Sequence, residues 1–454
     1  MRRRITFVQR PTAPFELDQA ILTSDYLSIR DVDGVREERA TFSFDELPDD
    51  DSFITPPILS TRFASTAAFQ YYTRLPSLDK FITYIQKKIC SGSDETCLAQ
   101  AASIAAADSV DINFDGISHA LTITGFWSRS PAGGWTEKIW KPVKGVMDQV
   151  EVGLLGAEKA VEPEEIKMGG LLGVVGTDDK LKPTLFSFPS RHHPLPDDAT
   201  YSVSFPPPTG LHPAMTISIP RTSLEPPPAP LDATCALHTY LTLPSTIFGD
   251  KYQLDTTDPL FLDSHHLKAL RAVAGETDLE APDWFVSHWG SNWLLELAIP
   301  DTGDRNTDDW NVTIPLHLRY LRPSESGYRS ASIPWPVVFW ACTAEEGTKM
   351  GRNPFDRVNL GWEGLFGPRT MFYQLHPSHK DGPSSRRLVE DLEIPVLRLK
   401  EGSGIFQSKS IELGTVVVIV LGLLWVLWKL GVVARSSGTG SQVRRHSDKQ
   451  KKSQ

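Results

Sequence analysis

The sequence predicts a mainly β protein: an antiparallel β-sandwich-like domain, preceded by an α+β, β-rich N-terminal domain and followed by one C-terminal transmembrane helix. Three observations predict it. Leu413 to Ala434 reads LGTVVVIVLGLLWVLWKLGVVA, mostly Val, Ile and Leu, with no proline and Lys429 as its one charge. At 1.5 Å per residue such a helix spans about 33 Å, enough for a bilayer core of roughly 30 Å. The second half of the chain breaks into short apolar runs rich in Thr, Val and Ile, each bounded by turn residues, the pattern of an antiparallel sandwich. Finally, 35 of the 454 residues are proline, above the usual share of about 5%, and many fall between those runs.

Residues 1–204 read as the mixed N-terminal domain. Ile5 to Val8, Thr41 to Phe44 and His119 to Trp127 have strand character. Pro76 to Ile89 suits a helix with Ser77 as its N-cap, because Phe81, Ile82, Ile85 and Ile89 fall on one face. Asp94 to Ala107 is alanine-rich and predicts a second helix. Gly169 to Gly176 (GGLLGVVG) superficially resembles a phosphate loop. No lysine follows it and its glycine spacing is wrong, so a tightly packed strand is expected.

The proline clusters Pro206-Pro207-Pro208 and Pro226-Pro227-Pro228-Ala229-Pro230 frame the strand-like Gly210 to Arg221. The domain boundary is placed just before that segment, and residues 205–412 form the second domain. Its expected strands include Cys235 to Leu243, Trp293 to Ile299, Asn311 to Leu321, Trp335 to Ala341 and Ile394 to Leu399. Pro315, Pro334 and Pro336 must then lie at strand ends or on an edge, since proline donates no ladder hydrogen bond. Glu401 to Lys409 is a short linker to the 413–434 span.

Trp425, Trp428 and Lys429 sit toward the far end of the span, where indole rings and a snorkelling ammonium suit the interface. The tail, 435–454, carries Arg435, Arg444, Arg445, Lys449, Lys451 and Lys452 against Asp448 alone. Positive flanks stay cytosolic, so the body is expected on the lumenal side. Lys451 and Lys452 resemble a dilysine retrieval signal, which a receptor reads only on the cytosolic face. Localisation in the endoplasmic reticulum membrane, single-pass, follows as the expectation. Ile5 to Gln9 is too brief an apolar patch for a secretory leader, which leaves translocation unexplained and a tail-anchored protein with a cytosolic body as the rival topology. Asn311-Val312-Thr313 is a glycosylation sequon and supports lumenal exposure.

Net charge is −10 in spite of the basic tail, which argues against a nucleic-acid partner. The four cysteines, Cys90, Cys97, Cys235 and Cys342, contain no CxxC pair, so zinc ribbons and thioredoxin-like sites are excluded. Cys90 with Cys97 and Cys235 with Cys342 can pair in an oxidising compartment; buried free thiols are the alternative. There is no HExxH and no GxSxG. His192-His193 and His265-His266 lack the spacing of a helical metal site and read as exposed loop histidines. Asp31-Val32-Asp33 and Asp49-Asp50-Asp51 are similar to the acidic pairs with which many glycosyltransferases hold a metal, but such strings are common on surfaces. Glu345-Glu346 reads as a solvated loop. No catalytic residue, cofactor or resident metal is assigned.

Four short stretches carry a resemblance: GLHP at Gly210 to Pro213, CALHTYLTLPSTIFGDKYQL at Cys235 to Leu254, IPLHLRYLRP at Ile314 to Pro323, and IPWPVVFWAC at Ile333 to Cys342. In this order before one terminal span, the chain resembles the PIG-X family, and within it the fungal branch known by a protease B non-derepressible phenotype. The resemblance covers about residues 205 to 435. It implies a non-catalytic, stabilising subunit of glycosylphosphatidylinositol mannosyltransferase I. The partner is a multi-span catalytic subunit that transfers the first α1,4-mannose from dolichol-phosphate-mannose to glucosaminyl-phosphatidylinositol. One span cannot enclose a site for two lipid substrates, which agrees with an accessory role. Tyr320, Trp335, Phe339 and Trp340 are expected in the core or as interface anchors. His317 and Arg319 share one side of a strand and are candidates to meet carboxylates of the partner. The rival readings are a lumenal chaperone with broad clients, and an independent hydrolase or glycosyltransferase.

Overall fold

A computed structural model describes residues 2–10, 16–43, 68–69, 78–90, 95–115, 120–141, 149–157, 167–176, 183–193, 195–207, 210–286, 290–300, 308–344, 355, 362–379, 388–399 and 408–450. Asp49 to Asp51, Glu345, Glu346, Ser77, Asp94, Lys451 and Lys452 lie outside the described residues. The chain is mainly β, with several sheets and one long apolar C-terminal helix.

The N-terminal part is built on an eight-stranded sheet. Its inner strand, Arg2–Gln9, pairs antiparallel with Gly34–Ser43 and parallel with Gln149–Ala157. Arg3, Ala40 and Ile123 lie directly across neighbouring strands and so share a face with Ile5 and Phe7. That face has two covers. A three-stranded sheet of Ala20–Leu22, Tyr26–Val32 and Trp135–Trp140 buries Ile5, Phe7, Leu27, Ile29 and Leu154. Helical segments bury Phe81, Ile85 and Ala101 against Leu121 and Ile123. Between the covers Arg3 is 5% exposed and ion-paired with Glu38 and Glu137. GGLLGVVG forms the Lys167–Val175 strand, where a Cβ at Gly170 would run into the Leu154 carbonyl. Close backbone approach, and not phosphate binding, accounts for that glycine.

From His192 onward the strands join other sheets. A six-stranded sheet runs in the order His192–His193, Thr370–Gln374, Val337–Ala344, Ala233–Pro244, Gly290–Leu297, Leu267–Gly275. A four-stranded sheet runs Trp310–Pro315, Ala214–Ile219, Thr200–Ser204, His376–Pro377. The central strands of the larger sheet are buried on both faces; Trp293, Phe339, Trp340 and Phe372 are each 1% exposed or less. Most pairs are antiparallel. The exceptions here are His192–His193 with Phe372 and Tyr373, and Thr200–Tyr201 with His376–Pro377. Cys90 is bonded to Cys97 and Cys235 to Cys342, so the free-thiol alternative does not hold.

Several expected elements shift by a few residues. The first helix is Asp79–Tyr84, continued by a π-helical turn over Ile85–Ile89; Leu78, without a side-chain bond, stands at its N-cap. The second is Glu95–Ser103, tightened into a 3-10 turn at Ile104–Ala106. Asn311 to Leu321 is not one strand. It breaks after Pro315, and His317–Leu318 pairs separately with Ile247–Phe248. Pro334 ends the Tyr328–Pro334 strand and Pro336 delays the next to Val337. Val389–Pro395 replaces Ile394 to Leu399, stopped by its own proline. His193 is not a loop residue: it is 5% exposed, with its ring tilted against that of Tyr373 at 5.0 Å. His266 is a left-handed helix cap stacked on Trp310.

Residues Met1–Leu321 and Ser330–Ile394 form one compact unit; Arg322–Arg329 and Pro395–Gln454 form another. The second contains the Ser408–Gln450 helix, whose Ser410–Arg435 stretch is long and apolar enough to cross a membrane and is unburied by protein. Lys429 lies near the rings of Trp425 and Trp428, as an interface cluster requires.

Candidate functional site

The four stretches singled out in the sequence meet in space. Leu316 and Leu318 donate backbone bonds to the carbonyls of Pro213 and Leu211, at 2.9 and 3.0 Å. Phe248 sits opposite His317 in the short ladder, and the Arg319 N–H reaches the Thr246 carbonyl at 2.9 Å. Cys235 faces Cys342 and Leu237 faces Trp340 across the larger sheet. The disulfide therefore staples the second stretch to the fourth.

At the meeting point Phe248 contacts both His317 and Arg319. Its ring stacks on His317, with centroids 5.5 Å apart, and the Arg319 guanidinium lies 4.2 Å from its centre. His317 and His212 bring their Nδ1 atoms within 3.0 Å. Burial and then the neighbouring His212 hold His317 below the usual imidazole range, against an opposing pull from Asp250. One Nδ1–H donating to the other, unprotonated Nδ1 satisfies that contact.

Arg319 is 2% exposed and does not reach outward. Its Nη1 donates to the carbonyls of Asp278 and Ala281, at 2.6 and 2.8 Å. Burial lowers its pKa, while the carboxylates of Glu276, Asp278 and Asp283 oppose that shift. Its predicted alternation with Tyr320 holds only as backbone geometry: Arg319 turns in and clasps this chain's own loop. Tyr320 is 67% exposed, and its carbonyl accepts the Asp283 N–H at 3.1 Å.

The clasped loop, residues 276–286, is fixed at several further points. Asp278 accepts the N–H groups of Glu280 and Ala281, which hold its carboxyl below the ordinary range. Ser245 donates to Asp283 at 2.6 Å, and the Glu276 carboxylate accepts the Asp278 N–H. At its tip Trp284 is 49% and Phe285 78% exposed. The sequence reading passed over this loop. The available signal was an adjacent Trp-Phe pair directly after an acidic, proline-containing turn, EAPDWF.

The other named residues are placed as follows. Trp340 is fully buried, and Trp335 is nearly so, donating its ring N–H to Glu390 at 2.9 Å. Both are core side chains. Asn311 is exposed on the edge strand of the four-stranded sheet, with its Oδ1 accepting from Ser218. Asp31 and Asp33 serve the turns around them, accepting from Thr136 and Ser130. Among the described residues no three His, Cys, Asp or Glu side chains are grouped to hold a metal.

A family model described as PIG-X / PBN1 matches residues 208–431. Curated relatives extend the similarity to the whole chain. A protein named Protein pbn1 in Aspergillus oryzae is 61% identical, with all of both chains covered. One of the same name in Emericella nidulans is 59% identical, again with both chains fully covered. Protein PBN1 of Yarrowia lipolytica is 30% identical over 62% of this chain and 54% of its own. No solved structure matches.

Proposed function

The chain belongs to the PIG-X / PBN1 family, and from that premise we propose that it is the non-catalytic, stabilising subunit of glycosylphosphatidylinositol mannosyltransferase I. In this reading the body is lumenal in the endoplasmic reticulum, the span lies in its membrane and the tail is cytosolic. The catalytic partner is a multi-span protein that transfers the first α1,4-mannose from dolichol-phosphate-mannose. The observation that carries the reading is the family match from 208 to 431, which takes in most strands of the second set of sheets and most of the apolar C-terminal stretch.

Other observations support it. Two disulfides suit an oxidising compartment. Asn311 is exposed on an edge strand, where a glycan can be attached without unfolding the sheet. The loop pinned by Arg319 is a rigid, aromatic-tipped feature of the kind that binds protein. A tether in the same bilayer raises the effective concentration of the two proteins, so a modest interface suffices.

The test is the level of the catalytic subunit. Depleting this protein should lower that subunit's steady-state amount, and full-length wild-type protein should restore it. An unchanged amount would contradict a stabilising role.

A further inference from the structure

We propose that the clasped loop of residues 276–286, with Tyr320 beside it, is the docking face for a lumenal loop of the membrane-embedded partner, and that this partner loop carries basic and apolar side chains. The inference rests on the subunit role proposed above and names the surface through which it acts.

Three observations lead here. Trp284, Phe285 and Tyr320 are large, rigid side chains left 49%, 78% and 67% exposed. Aromatic anchors of this kind dominate interface energetics, and each can bury roughly 150–250 Å². The loop that displays them is ordered in advance. Arg319 is buried to hold two of its carbonyls, Tyr320 and Ser245 hold Asp283, and Asp278 closes its turn. A loop already fixed loses little entropy when a partner seats on it.

The third observation is charge. Glu276, Asp278, Glu280 and Asp283 lie within this loop, and Arg319, which interacts with the carboxylates of Glu276, Asp278 and Asp283, is shielded beneath. The face left to solvent is therefore acidic around an aromatic centre. An anionic lipid surface would be repelled by it, whereas a peptide bearing Lys or Arg among apolar residues is complementary. Arginine can also stack on the exposed indole and phenol.

The experiment uses full-length protein in native membranes together with a tagged catalytic subunit. Benzoylphenylalanine placed at position 285 should cross-link to that subunit on illumination. The same probe at Leu185, exposed on the Pro183–Pro189 strand of the other sheet, should not. The double variant Trp284→Ala/Phe285→Ala should lose co-purification by on the order of tenfold or more. Arg319→Lys, which keeps the charge but ends its donor nearer the backbone than the Nη1 atom that holds both carbonyls, should give a smaller loss, while raising loop proteolysis. Adducts with lipid alone, or full co-purification of the double variant, would overturn the inference and leave the subunit role standing. Failure of the wild-type protein to co-purify with the catalytic subunit would overturn both.

Discussion

At the scale of single residues, burial decides behaviour. Trp340 is fully enclosed in the larger sheet opposite Leu237, so Trp340→Ala removes about 3–5 kcal/mol of folding stability. The amount of this protein should fall in cells, and the amount of its partner with it. Equal levels of both would contradict the account. His193 gives a pH signature. Burial pushes its imidazole down from 6.5 to about 4. The unfolded chain therefore takes up a proton that the folded chain refuses between those values. The contribution is complete above about pH 6.5 and is lost as pH falls toward 4, with a slope of up to about 1.4 kcal/mol per pH unit. His238 is displaced the same way by burial and adds to the trend. In His193→Phe the acid limb of thermal stability against pH should flatten by about one proton, with the ring contact on Tyr373 retained. An unchanged slope would refute the assignment. Sequence exposed the identity of these residues but not their surroundings. His192-His193 reads as loop because its strand is two residues long and is defined by a partner far away, at Phe372 and Tyr373.

At the scale of elements, the disulfide between Cys235 and Cys342 joins strands already paired in register. It closes a separation of 107 residues, for which loop entropy gives about 4–5 kcal/mol. The Cys90–Cys97 bridge closes only seven, and about 2–3 kcal/mol is expected. Replacing Cys235 and Cys342 with alanine should therefore cost more thermal stability than replacing Cys90 and Cys97. Alkylation of the unreduced, unfolded protein should label no cysteine. The exposed edge position of Asn311 predicts a glycosidase-sensitive mobility shift that Asn311→Gln abolishes. Strand existence was legible because Thr, Val and Ile alternate and prolines punctuate. Strand ends were less so. Pro315, Pro336 and Pro395 each end or delay a strand that pattern alone would have carried onward, since a missing N–H acts only where a ladder needs it. The inward turn of Arg319 was illegible for a different reason. Alternation assigns a side of a strand, but this residue lies just past a two-residue strand and follows the carbonyls of a distant loop.

At the scale of the whole molecule, the chain combines several sheets with one C-terminal helix long and apolar enough to cross a membrane. The spanning helix and the family were readable directly, because long apolar runs and ordered sequence words need no tertiary context. The loop at 276–286 was not, since its acids and aromatics gain meaning only when Arg319 fixes them. The central claim is that this chain serves the first mannose transfer without performing it. The most direct test is the profile of inositol-labelled lipid precursors after depletion, separated by chain position. The account predicts accumulation of the glucosaminylated, unmannosylated lipid, cleared when wild-type protein is returned. A normal precursor ladder, accompanied by retention of many unrelated secretory proteins, would contradict it and point to a general lumenal chaperone.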